Sequence, residues 1–211
     1  MTQPLKPSYR LAAGLAARLV HDIAGLVSGI TTGLELYTSP DSSDLKESAL
    51  ELATSSGRKL LDRLDFYRTA FGEGEELRNT QMIQRLAAKQ FDGRRNRLDW
   101  PSSARLLPSP AGQALLIMTQ IASEAVMANG IIRVALNDGP GRLTLRVEGR
   151  GPRILLQPEV MAGLFGLEHH NGLAGRWALA FYLHTLVTAA AGLLSIDLRE
   201  GGFLMEAALP T

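Results

Sequence analysis

The chain has 211 residues, 45% of them hydrophobic and 20% charged, an ordinary composition for a packed globular protein of one sizeable domain or two small ones. Its 22 Lys and Arg residues against 21 Asp and Glu residues give a net charge of +1, which argues against a nucleic-acid partner and against a charged membrane surface. The absence of cysteine excludes disulfides and thiolate metal sites and suits a reducing compartment.

Two stretches have the composition of membrane-directed segments. Residues 6–17 resemble a short signal peptide, but Arg18 and the His21-Asp22 pair interrupt the apolar run. Residues 177–194 carry no formal charge and reach the length of a membrane span, but they are rich in Ala and lead into a strand pattern. We therefore expect a soluble, cytoplasmic protein with no membrane partner.

The first predicted helix runs from about Tyr9 to Tyr37. Its apolar stripe follows the helical period and contains Leu11, Leu15, Leu19, Ile23, Leu26, Ile30 and Leu34. His21 falls nearly opposite the middle of this stripe. Small residues surround it, namely Gly14, Ala17, Ala24, Gly25, Ser28 and Thr32. Such a surface is suited to presenting an imidazole to another macromolecule.

A second amphipathic helix follows after a short connection. Proline at position 40 stops the first helix, and residues 41–44 offer oxygens that could cap the second. The apolar seam of the second helix contains Leu45, Ala49, Leu52, Ser56, Leu60, Leu64, Tyr67 and Phe71. The short connection predicts an antiparallel hairpin, and two hairpins would bury their remaining apolar faces as a dimeric four-helix bundle.

A glycine-rich, acidic joint at residues 71–76 divides the chain, and we place the domain boundary between residues 74 and 75. The pattern beyond it alternates helices and strands. It predicts helices near 82–87, 112–127, 159–165 and 177–191, and strands at 97–100, 131–136, 143–147, 193–198 and 203–209. We expect an α+β protein in which residues 1–74 form the hairpin and residues 75–211 form an α/β sandwich.

His21 is the leading candidate for chemistry. An exposed imidazole is mostly neutral near pH 7, and a neutral ring nitrogen can attack an acyl phosphate. Asp22 could orient the ring, and Arg18, four residues earlier on the helix, could pair with Asp22. The alternative interpretation is that His21 is a solvated surface residue beside an ordinary helix ion pair.

Two segments of the first helix, Leu15-Ala-Ala-Arg-Leu-Val-His-Asp-Ile and Ser28-Gly-Ile-Thr-Thr-Gly-Leu-Glu-Leu, resemble the ChpT-type histidine phosphotransferases of bacterial phosphorelays. The resemblance covers almost the whole chain. It implies a homodimer in which His21 takes a phosphoryl group from a receiver aspartate of a hybrid histidine kinase and passes it to a response regulator. It also implies that Asp22 orients His21. Receiver contact is expected at Arg18, Ala24, Gly25, Ser28 and Thr32.

By the same resemblance, residues 78–211 look like a degenerate histidine-kinase ATPase domain. Kinases of this fold use an Asn-rich helix and an Asp-x-Gly-x-Gly turn, whereas this chain has Thr119-Gln-Ile-Ala-Ser-Glu-Ala and Val147-Glu-Gly-Arg-Gly. A valine cannot accept the hydrogen bond of the adenine amine. The later glycine loop is replaced by the bulkier Gly172-Leu-Ala-Gly-Arg-Trp. We expect no ATP binding and no cofactor, with the Mg²⁺ for transfer supplied by the receiver.

Two positions depart from the kinase pattern. Leu26 stands where kinases of this type have a bending proline, and Gly25 stands where phosphatase-competent ones have Thr or Asn. A dedicated phosphatase role is therefore not expected. The remaining alternatives are an active histidine kinase and a non-catalytic dimeric adaptor. A nucleic-acid-binding dimer lacks a basic run to support it.

Overall fold

The chain begins with two long helices that form a hairpin. The structure, a computed structural model, describes residues 7–72, 77–93, 95–101, 104–127, 129–168 and 174–211. Helix α1 (Pro7–Thr38) and helix α2 (Lys46–Phe71) are joined by a 3-10 helix, Pro40–Leu45. The expected capping of α2 by oxygens of residues 41–44 stays a prediction, because the side chains of residues 41–43 lie outside the described part of the structure. The 3-10 helix occupies that segment, and the N-cap residue is Leu45, which makes no side-chain cap hydrogen bond.

The two helices run antiparallel and approach closely where α1 has glycine. A Cβ at Gly29 would meet the Ser56 side chain, and a Cβ at Gly33 would lie 2.6 Å from the Ala49 carbonyl oxygen and 2.8 Å from the Ala53 nitrogen. Ala49 and Ser56 of the predicted seam of α2 are accordingly buried, and so is Ala53, which was not predicted. The contact between the helices is therefore made by small residues rather than by leucines.

The rest of the chain forms helices against a mixed sheet. The helices are α3 (Thr80–Lys89), α4 (Ser109–Ala125), α5 (Pro158–Leu164) and α6 (Ala174–Ala189). The strands are β1 (Leu77–Asn79), β2 (Arg97–Asp99), β3 (Leu106–Pro108), β4 (Ile131–Gly139), β5 (Arg142–Arg150), β6 (Leu193–Arg199) and β7 (Gly202–Pro210). The predicted elements are confirmed, and the short pair β1 and β3 was not predicted.

The main sheet has the order β2-β4-β5-β7-β6, with β2 parallel to β4 and the other neighbours antiparallel. Its strands alternate between a buried apolar face and an exposed charged face, the period expected when one side of a sheet packs on helices. Helix α4 is buried along nearly its whole length. The result is the α/β sandwich expected from the sequence, and with the hairpin it gives an α+β fold.

The hairpin and the sandwich share one hydrophobic core. Phe66, Tyr67 and Ala70 at the end of α2 belong to the same buried cluster as α4 and the sheet. Gly175 of α6 packs directly on α1, where a Cβ would lie 3.1 Å from the Cβ of Arg18. The predicted boundary between residues 74 and 75 involves residues outside the described ranges and stays a prediction.

Candidate functional site

His21 projects from the middle of α1 into solvent. Its side chain is 89% exposed, in agreement with its predicted position opposite the apolar stripe. Nδ1 lies 3.4 Å from Oδ1 of Asp22, a long contact of the kind that shortens when a reacting partner binds. Asp22 therefore lies beside Nδ1, and no described contact is made by Nε2.

Asp22 is held in turn by two residues of α2. The Tyr67 hydroxyl donates a hydrogen bond to Oδ2 of Asp22, and Nη1 of Arg63 lies 3.9 Å from the same oxygen. Burial, together with the hydrogen bond and the negative charge of Asp22, raises the pKa of Tyr67, so the phenol keeps its proton at neutral pH. Tyr67 was predicted only as a packing residue, and Arg63 was not predicted.

Four of the residues expected to contact a receiver form an open surface beside His21. Ala24, Gly25, Ser28 and Thr32 are all exposed. A Cβ added at Gly25 would meet nothing within 4 Å. Gly14 is the exception among the predicted small residues, because it is buried. The remaining surface is flat enough to let another protein approach the helix backbone next to the imidazole.

Arg18 does not form the expected ion pair with Asp22. Its guanidinium donates hydrogen bonds to both carboxylate oxygens of Glu124 in α4, and only 10% of its side chain is exposed. Burial by itself opposes the charged form, but the charge and hydrogen bond of Glu124 outweigh it and raise the pKa of Arg18. Little of Arg18 is left for a partner, and its observed contact joins α1 to α4.

A cleft of about 760 Å³ opens beside His21, between α1 and the helices of the sandwich. His21, Asp22 and Arg18 contribute to one wall. The apolar part of the lining comes from Ile121, Met127, Leu155, Leu156, Val160 and Leu179. The imidazole therefore lies at the mouth of a largely apolar cleft shared by both parts of the protein.

Comparison with known proteins places this arrangement in a family. Residues 80–202 match the family described as the histidine phosphotransferase C-terminal domain. The chain is 33% identical over 170 residues to the protein phosphotransferase ChpT of Brucella abortus (strain 2308), covering 78% of this chain and 76% of that protein. The chain belongs to the histidine phosphotransferase family.

Solved structures agree with the assignment of this chain to the histidine phosphotransferase family. A structure described as a bacterial phosphotransferase superposes with a TM-score of 0.83 at 25% identity, covering 97% of this chain and 98% of the other. Full-length ShkA in complex with AMPPNP superposes with a TM-score of 0.51 at 18% identity, covering 98% of this chain and 46% of that chain. The second match concerns the fold alone.

The phosphotransferase uses the positions of the kinase nucleotide motifs for packing. Val147 is fully buried within the sheet, and a Cβ at Gly149 would lie 2.5 Å from the Phe203 ring. Gln120, in the helix where asparagines are expected in a kinase, is 2% exposed, and its amide nitrogen donates to Glu124. Gly172, in the segment that replaces the glycine loop, lies outside the described residues.

Over Tyr9–Thr38, helix α1 of the phosphotransferase is long enough and apolar enough to cross a membrane. One such helix near an N-terminus is weak evidence, and this helix carries Arg18 and Asp22 in polar contacts with α4 and α2. The finding does not indicate a membrane protein. Helix α6, which contains most of the other apolar stretch, packs inside the sandwich as predicted.

Proposed function

We propose that His21 is the phosphoacceptor through which this phosphotransferase carries a phosphoryl group between receiver aspartates. The observation that supports the proposal most directly is the geometry of His21. The imidazole is 89% exposed and its Nδ1 faces Asp22, so Nε2 is the ring nitrogen left for a partner. A receiver can therefore bring its phosphorylated aspartate to Nε2 without displacing any part of the chain.

The reaction at His21 is a substitution at phosphorus. The Nε2 lone pair attacks the aspartyl phosphate, a P–N bond forms, and the P–O bond to the receiver carboxylate breaks. The proton on Nδ1 stays on the ring, and the nearby Asp22 carboxylate stabilises the positive charge that the ring acquires. A second receiver carboxylate then attacks the same phosphorus, with His21 nitrogen as the leaving group.

The docking surface in this proposal consists of Ala24, Gly25, Ser28 and Thr32 on α1. These residues are exposed and small, so a receiver helix could approach the α1 backbone below His21. The partners would be the receivers of a hybrid histidine kinase and of response regulators. We expect the Mg²⁺ required for transfer to be bound by the receiver's own carboxylates and no ATP to be bound by this chain.

The homodimer is part of the same proposal, and exposed apolar residues on both hairpin helices support it. On α1, Val20, Val27 and Leu34 recur every seven residues and are 66%, 44% and 48% exposed. On α2, Leu50, Leu61 and Leu64 are 48%, 65% and 44% exposed. An apolar stripe of this kind along a helical hairpin is buried when two hairpins form a four-helix bundle. We propose a cytoplasmic location, where receivers and kinases of phosphorelays meet it.

The experiment uses a receiver phosphorylated by its kinase and freed of ATP. Mixed with the wild type, it should transfer acid-labile, base-stable phosphate to the chain, and mixed with His21→Ala it should transfer none. His184→Ala is the matched control, because His184 is partly buried in α6 and contacts the Leu164 carbonyl oxygen instead of solvent.

The outcomes separate the alternative functions. Labelling of the wild type from ATP alone would identify an active kinase. Absence of label from ATP and from a panel of receivers would contradict the proposal and favour a non-catalytic adaptor.

A second variant, Gly25→Leu, should slow transfer from the receiver, because it places a bulky side chain where the surface is now open.

A further inference from the structure

We infer that Tyr67 is a positioning residue for phosphotransfer, which holds Asp22 in the orientation that presents Nε2 of His21. The inference rests on the proposed role of His21. Neither the sequence pattern nor the family assignment gives Tyr67 this role. It comes from the contact between Tyr67 and Asp22, which lie 45 positions apart in the chain.

The two oxygens of Asp22 have different partners. Oδ2 accepts the hydrogen bond of the Tyr67 hydroxyl, and Oδ1 lies 3.4 Å from Nδ1 of His21. Because the hydroxyl holds one oxygen, the other is directed toward the imidazole. A carboxylate that accepts from Nδ1–H selects the ring tautomer in which Nε2 carries the free lone pair.

Asp22 has a competing partner that would draw it away from His21. Nη1 of Arg63 lies 3.9 Å from Oδ2, and this nitrogen is buried without a hydrogen-bond partner among the described residues. Without the Tyr67 hydroxyl, Asp22 would gain by turning to satisfy the Arg63 guanidinium. Tyr67 therefore keeps Asp22 bridged between α2 and His21 in the presence of a nearby cation.

Tyr67 is itself fixed by the core. It is 6% exposed, its ring stacks on Phe71 with centroids 5.7 Å apart, and it meets Phe66 edge-on at 5.7 Å. Phe71 in turn contacts Tyr182 of α6 at 5.1 Å. The raised pKa of Tyr67 keeps the phenol protonated, so it remains a donor throughout the neutral range. A rigid donor of this kind is what a positioning role requires.

The test removes only the hydroxyl. Tyr67→Phe keeps the aromatic packing, and Tyr182→Phe is the matched control, which removes a phenol from the same aromatic group without touching Asp22. We expect Tyr67→Phe to slow transfer from a phosphorylated receiver about tenfold, the scale of losing an outer partner of a functional histidine. Tyr182→Phe should transfer at the wild-type rate.

A spectroscopic readout and a double-mutant cycle distinguish positioning from a structural role. In ¹⁵N-histidine-labelled full-length protein, the His21 signals, identified by their loss in His21→Ala, should move from the Nδ1–H toward the Nε2–H tautomer in Tyr67→Phe. In an Asp22→Ala background, Tyr67→Phe should have no further effect on rate or tautomer, because its action passes through Asp22.

The inference fails if the tautomer is unchanged in Tyr67→Phe, or if the rate falls equally with and without Asp22. Failure of the proposed function gives a different result. If no receiver labels the wild type, the proposed transfer between receivers is contradicted. The tautomer measurement, which needs no receiver, would then still report whether Tyr67 orients His21 through Asp22.

Discussion

At the scale of single residues, the proposed chemistry rests on a carboxylate that contacts residues of two helices. Asp22 belongs to α1 with His21, but it is held by Tyr67 of α2. Its side chain is 22% exposed, so solvent competes little for its oxygens. A surface histidine with an equally exposed acidic neighbour would have a mobile ring. Here the neighbour is anchored in the core, and the imidazole alone is left in solvent.

The raised pKa of Tyr67 predicts a loss of stability at alkaline pH. The unfolded chain releases the Tyr67 proton near pH 10, whereas burial and the Asp22 hydrogen bond keep it bound in the folded chain. The contribution of this retained proton to the free energy of unfolding is complete below about pH 10 and declines as the pH rises beyond it. Urea unfolding at pH 8 and at about pH 11 should therefore show a smaller loss for Tyr67→Phe than for the wild type.

The control for this titration is Tyr9→Phe, which removes the hydroxyl of a tyrosine that is 62% exposed. An equal loss of stability in the wild type and in Tyr67→Phe between the two pH values would show that Tyr67 does not retain its proton on folding.

At the scale of helices and strands, the site depends on how closely α1 and α2 pack. Gly29 and Gly33 let the two backbones approach, and further along the same pair of helices the Tyr67 hydroxyl donates a hydrogen bond to Asp22. Leucines along the predicted seam remain partly or largely exposed; Leu64, for example, is 44% exposed. The hairpin is therefore held inside by small residues, and its larger apolar side chains remain available on the outside.

Replacing Gly33 or Gly25 of α1 by alanine should have opposite effects on the free energy of unfolding. Gly33→Ala should lower the free energy of unfolding by about 1–3 kcal/mol, since its Cβ would meet the α2 backbone at 2.6 Å. Gly25→Ala should raise it by about 0.5–1 kcal/mol, because alanine favours the helix and meets nothing. Chemical denaturation measures both, and similar values for the two variants would contradict the close helix contact.

At the scale of the whole molecule, the sandwich is packed against the helix that carries the proposed phosphoacceptor. The core contains the end of α2 together with α4 and the sheet, and the pair between Arg18 and Glu124 joins α1 to α4 next to the site. The cleft beside His21 exists only because these two parts meet. The sandwich thus supplies one wall of the cleft beside His21.

The proposed homodimer can be tested by the mass of the protein in solution. Leu61→Glu places a charge on the exposed apolar stripe of α2, where the wild-type side chain is 65% exposed, and should convert a dimer to a monomer in sedimentation velocity. Leu198→Glu, which alters a leucine of the sheet that is 60% exposed, should leave the dimer intact. A monomeric wild type, or a Leu61→Glu variant that stays dimeric, would contradict the proposed bundle.

The sequence by itself determined the order and type of the main elements and the outward position of His21. Helical and strand periods are properties of neighbouring residues, so α1, α2, α4 and the two hairpins of the sheet could be predicted from local spacing. The short strands β1 and β3 were missed because three-residue strands carry too little periodicity.

Only the tertiary structure decided the partners of the charged and polar residues around His21. Spacing along one helix favoured Arg18 with Asp22, but Arg18 lies 106 positions from Glu124 and binds it instead. Tyr67 had the spacing of a packing residue, and nothing near it in the sequence pointed to Asp22. Long side chains choose among all acceptors that the fold brings within reach, so their pairing follows from the packing of α1 on α2 and α4, which local sequence does not encode.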